Sequence, residues 1–356
     1  MKSCSDVDVS VCPRCGFIPV QTRKGRHMEL LLWIGIILVL VLAAVFFGAA
    51  PFLLFDYAAT RKLPMTPSSE EDMKGTKWEK YGAALCEGMQ YIRMQTMESV
   101  HVTSFDGLKL HGRYFPSSGE RKGAILLAHG FHSCADFDFS CIVRYYHEQG
   151  YAVLLIDQRT HGESEGTYIG FGILERRDIA VWADWLSNKV GENTDVFLEG
   201  ISMGATSVLM ASCEKLPANV RGIISDCPFS SPMEEFRHVL RTQFHLPPAI
   251  FLPLTNRICK RKAGYGFSDF STIEAMRHNH LPILFIHGLA DHFVPPEMTI
   301  RTYEACTSEK KLVLVENAAH GLSYLTDKSR CEAELMSFLS MHARHAVNAS
   351  SAQENR

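Results

Sequence analysis

The sequence predicts an α/β fold: a mostly parallel, eight-stranded sheet covered by helices on both faces, carrying a small cap insertion and preceded by one N-terminal transmembrane helix. Three observations carry this. Short apolar runs alternate with helix-like stretches from residue 99 onward, and apolar strands bounded by helices mean a sheet buried on both sides. Gly200-Ile201-Ser202-Met203-Gly204 lies between a strand-like run, 195–199, and a helix-like run, 205–211. Leu30 to Phe55 contains no charged side chain, and about 20 apolar residues suffice to span a bilayer as a helix.

The chain has 356 residues, of which 46% are hydrophobic and 21% charged, ample for one or two globular domains. A net charge of −3 gives no reason to expect a nucleic-acid partner. Residues 1–28 read as a short cytoplasmic leader. In it, Cys12-Pro13-Arg14-Cys15 has the shape of half a zinc knuckle, but a tetrahedral site wants four ligands and no second C-x-x-C exists. Two free thiols are the simpler reading, and no metal or organic cofactor is expected. Residues 29–55 read as the anchor, with the lipid bilayer as partner. A cleaved signal peptide is the rival, since Gly48-Ala49-Ala50 resembles a cleavage site. The apolar run is longer than a signal core, and Pro51 would follow the cut. Lys2, Arg14, Arg23, Lys24 and Arg26 precede the run, against Arg61 and Lys62 just after it. The positive-inside rule then leaves the N-terminus cytoplasmic and places the rest outside the cell membrane. Eight cysteines follow the anchor; their connectivity cannot be read from sequence, and Cys213 and Cys227 read as buried small hydrophobes.

Residues 56–98 read as a linker and helical spacer. Pro64, Pro67, Ser68 and Ser69 break it early, and Glu70-Glu71-Asp72 can start a helix. Trp78, Tyr81, Leu85, Met89 and Ile92 recur at helical spacing and are expected to pack on the main domain rather than bind a ligand. The main domain is expected over 99–345. Residues 99–105 and 109–115 flank Asp106-Gly107, a hairpin signal. Apolar strands follow at 124–128, 152–156, 196–198, 221–225, 283–286 and 312–315, with a helix at 178–185. The interval of about 228–280 breaks the alternation and is rich in Pro, Phe and Arg. Plain loops of that length are uncommon, so a structured cap is expected there, and with it the substrate preference. Residues 346–356 read as a disordered tail.

The glycine-flanked serine has the setting of a nucleophile elbow, a sharp strand-to-helix turn that needs small neighbours. A serine hydroxyl needs a base, and the base an orienting acid. Ser202, Asp291 and His320 arrive in the order Ser, Asp, His, each in a loop after a strand. In an open sheet such loops converge at one edge. Asp226, after the sixth strand, competes with Asp291 for the acid. His287 sits on a strand and reads as a core histidine. The oxyanion donors are expected from the backbone N–H groups of Phe131, in the loop after the third strand, and Met203. His129 is expected to hold that loop by hydrogen bonds. Asp157-Gln158-Arg159-Thr160-His161-Gly162-Glu163-Ser164 reads as a hydrogen-bonded turn at the site edge.

Together these segments resemble the α/β-hydrolase superfamily over about residues 99–342. Within it they are similar to bacterial membrane-anchored hydrolases of the serine aminopeptidase-like (BEM46-like) group. The segments are His129-Gly130-Phe131, Asp157-x-Arg159-x-His161-Gly162, Gly200-x-Ser202-x-Gly204, Asp226-Cys227-Pro228-Phe229, His287-Gly288 with Asp291, and His320-Gly321. The family pattern often has glycine where Thr160 stands. The resemblance implies the fold and the triad, and no particular substrate. The expected activity is hydrolysis of an ester, thioester or related acyl bond in a small acyl substrate. Peptide cleavage is the alternative, and a catalytically idle binding domain the third reading.

Overall fold

The computed structural model describes residues 23–63 and 66–344. The leader cysteines Cys12 and Cys15 and the tail 346–356 lie outside the described residues. The chain divides into two units, one ending at Leu54 and the other beginning at Phe55. An α-helix runs from Arg23 to Ala59 and passes through Pro51. Its segment Arg26–Ala59 holds an 18-residue stretch with a mean hydropathy of 3.2 and is long and apolar enough to cross a membrane.

The second unit is built on one eight-stranded sheet. Its strands are β1 (Glu98–Thr103), β2 (Lys109–Phe115), β3 (Gly123–Ala128), β4 (Tyr151–Ile156), β5 (Val196–Ile201), β6 (Val220–Asp226), β7 (Ile283–Gly288) and β8 (Lys310–Val315). The order across the sheet is β1-β2-β4-β3-β5-β6-β7-β8. The β1–β2 and β2–β4 pairs are antiparallel and every other pair is parallel. The hairpin expected at Asp106-Gly107 is therefore present and feeds the parallel sheet. Strands β3, β4 and β7 are buried along their whole length, as unbroken apolar runs covered on both faces must be.

Two cores form, one on each face. Trp182, Leu186, Val208 and Met276 cover one side of the sheet. Tyr146, Phe338, Leu335 and Ile92 cover the other. Ile92 belongs to the helix Gly82–Met94, so residues before the first strand enter the core. The helix expected at 178–185 extends over Glu175–Val190. Residues 228–280 fold into the helices Pro232–Thr242, Pro248–Lys262 and Thr272–His278. That structured insertion lies between β6 and β7. Its Phe267 and Phe236 stack on each other with ring centroids 4.2 Å apart, and Phe236 packs on Phe171, outside the insertion, at 4.8 Å.

Candidate active site

The strand β5 ends at Ile201 and the helix Met203–Ala211 begins two residues later. Ser202, between them, has φ 57° and ψ −116°, a backbone state that is costly for any L residue and persists only when its surroundings fix it. The flanking glycines are sterically required. A Cβ on Gly204 would overlap the carbonyl oxygen of Ala128, and one on Gly200 would overlap the backbone of Gly204. The elbow is thereby pressed against β3 and its following loop.

Three more loops at the carboxyl edge of the sheet complete the group, where ligands bind in open parallel sheets. His320 follows β8, and its Nε2 lies 2.8 Å from the Ser202 hydroxyl oxygen. Its Nδ1 lies 2.6 Å from Oδ2 of Asp291, which follows β7. The other Asp291 oxygen accepts the N–H groups of Phe293 and Val294, each at 2.9 Å. Asp226 does not meet the imidazole; its Oδ1 accepts the Ser323 hydroxyl at 2.9 Å. Burial alone would push the Asp291 carboxyl up, but hydrogen bonds from His287 and His320 outweigh it and hold the group well below the usual carboxylate range. Burial pushes the His320 imidazole down against the pull of Asp291. That shift favours the neutral imidazole, the form able to take a proton. For Asp226, burial raises the carboxyl to about 6.

Met203 is the first residue of its helix, so its N–H has no intrahelical acceptor. The loop after β3 passes close by: a Cβ on Gly130 would lie 3.5 Å from the Ser202 Cβ. Phe131 and Ser202 line the same cavity. His129 holds this loop. Its Nδ1 donates to the Gly130 carbonyl at 2.8 Å and its Nε2 accepts the Gln158 N–H at 3.2 Å. His161 Nε2 accepts the N–H of His132, also at 3.2 Å. The segment 157–164 is thus a hydrogen-bonded turn that braces the loop from behind. Asp157 pairs with His111 at 2.8 Å, and Arg159 pairs with Asp178 at 2.5 Å. Thr160 has φ 70°, the left-handed region that favours glycine; its hydroxyl donates to the Tyr168 carbonyl at 3.0 Å.

One buried acid near the elbow offers a test of these electrostatics. Glu199 on β5 accepts the Tyr146 hydroxyl at 2.6 Å, and burial pushes its carboxyl from 4.5 to about 8. A raised acid keeps its proton in the folded state while the unfolded chain releases it. Stability therefore falls as pH rises from about 4.5 to about 8. Glu199→Gln removes that loss. Thermal denaturation should show a gain in Tm over the parent that grows across this window and then levels off; a gap independent of pH would refute the assignment.

The chemistry-bearing sequence signals converge here, but the cavity wall does not come from the expected place. Ser202 and His320 open into a cavity of about 280 Å³. Among the described residues, none from 228–280 lines it. The wall opposite the sheet is supplied instead by Tyr57, Thr66, Lys77, Trp78 and Leu85. This corrects two expectations. The insertion stands behind the lining: its Phe236 packs on Phe171, which packs on Phe131 with ring centroids 5.6 Å apart, and its Phe244 packs on Tyr57, also at 5.6 Å. Trp78 and Leu85 face the cavity as well as the core. Helical spacing identified an apolar stripe but could not say that part of it borders a site.

Two further residues carry more than the sequence suggested. His287 is fully buried, as a core histidine would be, yet its Nε2 lies 3.2 Å from Asp291 Oδ2. Cys227 is buried with φ 48°. Its sulfur, Asp291 and His320 offer ligand atoms within 4.8 Å of one another. Asp291 and His320 already spend those atoms on each other, and burial pushes the Cys227 thiol well up, so a metal would have to displace protons and a hydrogen bond at once. The eight described cysteines, including Cys227, are free.

Comparison with known proteins agrees with the fold. A family model described as serine aminopeptidase, S33, matches residues 119–263. An esterase of Pyrococcus furiosus superposes with a TM-score of 0.57 at 21% identity, over 70% of this chain and 93% of its own. The chain has the α/β-hydrolase fold. This hydrolase is also similar to the protein YqkD of Bacillus subtilis strain 168, at 30% identity over 200 residues. That match spans 55% of the hydrolase and 66% of YqkD, slightly under two thirds of the relative. A thiohydrolase of Aspergillus aculeatus is 32% identical over 138 residues, 38% of this chain and 42% of its own. The acylaminoacyl peptidase of Pyrococcus horikoshii shares the fold with a TM-score of 0.53 at 17% identity, covering 72% of the hydrolase and 44% of the peptidase. The chain is thus similar to esterases and peptidases that share this fold.

Proposed function

We propose that this hydrolase is a membrane-anchored serine enzyme that cleaves a carboxylic ester, thioester or related acyl bond through an acyl-enzyme. The observation that carries the proposal is the continuous hydrogen-bonded chain Ser202–His320–Asp291. Ser202 Oγ attacks the substrate carbonyl while His320 Nε2 takes its proton. Asp291 orients the ring and stabilises the imidazolium, and the N–H groups of Phe131 and Met203 hold the oxyanion. His320 then protonates the leaving group. Water, deprotonated by the same nitrogen, releases the acyl group and regenerates Ser202. No step requires a metal or organic cofactor.

Esters and thioesters are placed ahead of peptides because the cavity wall is largely apolar, with Trp78, Leu85, Phe131, Phe137, Phe293 and Leu325. The similarity to a thiohydrolase keeps thioesters in the class. The match to serine aminopeptidases favours the second reading, cleavage of peptides from the amino end. Comparing kcat/KM for a panel of acyl esters and aminoacyl amides separates the two. The decisive test of the enzyme itself is covalent labelling by a fluorophosphonate, expected in the parent and absent in Ser202→Ala. Folded parent protein that takes no label would sink the serine-hydrolase reading.

The helix Arg23–Ala59 serves in this proposal as an uncleaved anchor, N-terminus cytoplasmic and catalytic residues extracytoplasmic. Its support is its hydropathy and the excess of Lys and Arg before it. The full chain should resist extraction from membranes at alkaline pH, and added protease should digest the catalytic domain from the outer side of intact cells with the outer envelope removed. Release by alkali, or protection from that protease, would contradict it.

A further inference from the structure

Lys77 has no role in the mechanism above, yet it stands at the cavity that holds Ser202. Its ammonium donates to the backbone carbonyl of His320 at 2.7 Å and lies 4.8 Å from the ring centre of Trp78. A lysine ammonium has three donors, and this bond uses one. The carboxylates that act on it are already engaged. Asp291 is bound by His320, Phe293 and Val294. Asp138, also on the cavity wall, accepts the Gly130 N–H and the Ser133 hydroxyl, each at 2.6 Å. Although the side chain reaches solvent, burial of the ammonium lowers its pKa from the usual lysine value, with Asp291 and Asp138 opposing the shift. The cation thus sits at the cavity wall with donors to spare, beside the apolar side chains of Trp78, Leu85 and Phe293.

Lys77 is hydrogen-bonded to the backbone of His320, the residue that protonates the leaving group in the proposed reaction. We propose that Lys77 is a specificity-determining residue that binds an anionic group, carboxylate or phosphate, on the leaving group of an acyl ester or thioester whose acyl chain is apolar. This deepens the acyl-hydrolase reading and rests on it for the direction in which the substrate lies. The same cation would disfavour the protonated amine of a peptide's amino end.

The test uses the full chain and three octanoyl- or suberyl-type esters. They are 4-octanoyloxybenzoate, its neutral methyl ester, and a phenyl monoester of suberic acid that carries its charge on the acyl side. The parent should favour 4-octanoyloxybenzoate over the methyl ester by about tenfold in kcat/KM, the scale of one charge-assisted hydrogen bond. Lys77→Gln should lose that preference and Lys77→Arg keep it. The ratio cancels any general loss caused by moving His320. No preference in the parent, a preference unchanged in Lys77→Gln, or a preference only for the suberate ester would each overturn the proposal. Calorimetry on Ser202→Ala, with and without Lys77→Gln, reads the same charge preference as binding of the two octanoyl esters. A protein inert to every ester but with Lys77-dependent binding would refute the acyl-hydrolase reading while upholding the anion subsite. Catalysis without that binding difference would do the reverse.

Discussion

Ser202→Ala is expected to lower kcat on a hydrolysed ester by on the order of 10⁶-fold, the scale found when a triad nucleophile is deleted. The expectation follows from the 2.8 Å contact between the Ser202 hydroxyl and His320 Nε2: removing the oxygen leaves the base with no nucleophile to activate. Adding His320→Ala should cost almost nothing further, because the two residues act as one unit. Asp291→Asn should cost about 10⁴-fold, since an amide at Oδ2 would present the wrong partner to His320 Nδ1. Asp226→Asn provides the contrast. Its side chain meets Ser323 and not the imidazole, so its kcat should stay within about tenfold of the parent, a loss far below that of a triad acid. Steady-state rates for the five proteins decide the matter. A loss for Asp226→Asn as large as for Asp291→Asn would overturn the assignment of the acid.

Gly204→Ala carries the second large effect, for a reason of space. The added Cβ would overlap the Ala128 carbonyl oxygen and crowd that of His129. Both are backbone atoms at the end of a central strand and cannot swing aside as a flexible side chain would. Either the helix Met203–Ala211 lifts away from β3 or the oxyanion loop is pushed outward. Overpacking of this kind costs about 1–3 kcal/mol of stability. Displacing an oxyanion donor costs about 10²–10³-fold in kcat. A fall in Tm together with a fall of that size in kcat is expected, with fluorophosphonate labelling slowed in parallel. Unchanged Tm and full activity would show that the elbow is less tightly seated than its contacts indicate.

The legible part of this protein is the part that local sequence controls. The alternation of apolar strands and helices gave the eight-stranded sheet because strands buried on both faces need unbroken apolar runs, as 124–128 and 152–156 have. The glycine-flanked serine was readable because the strained turn at Ser202 leaves no room for a Cβ on either side. His129 and the turn 157–164 were readable as loop supports because polar side chains beside glycine build hydrogen-bonded turns. The order Ser202, Asp291, His320 was readable because loops at one edge of a parallel sheet converge whatever their separation in sequence.

The cavity wall was not readable, and the reason is distance along the chain. Lys77 reaches the His320 carbonyl across 243 residues, a pairing for which neither residue carries a local signal. The periodicity of Trp78, Leu85 and Ile92 announced an apolar helix face, but a stripe reads the same whether it meets a core or a substrate. Pro- and Phe-rich composition likewise marked 228–280 as structured and could not say that it would stack behind Phe131 instead of facing Ser202. His287 and Cys227 read as core residues and are buried as such; only the fold shows that they lie against Asp291. By itself the sequence determined the sheet, the elbow and the candidates for nucleophile, base and acid, since these depend on backbone period, steric room and chain order. The tertiary structure decided which acid meets the imidazole and which residues border the cavity, since those depend on how distant surfaces come together when the sheet is covered.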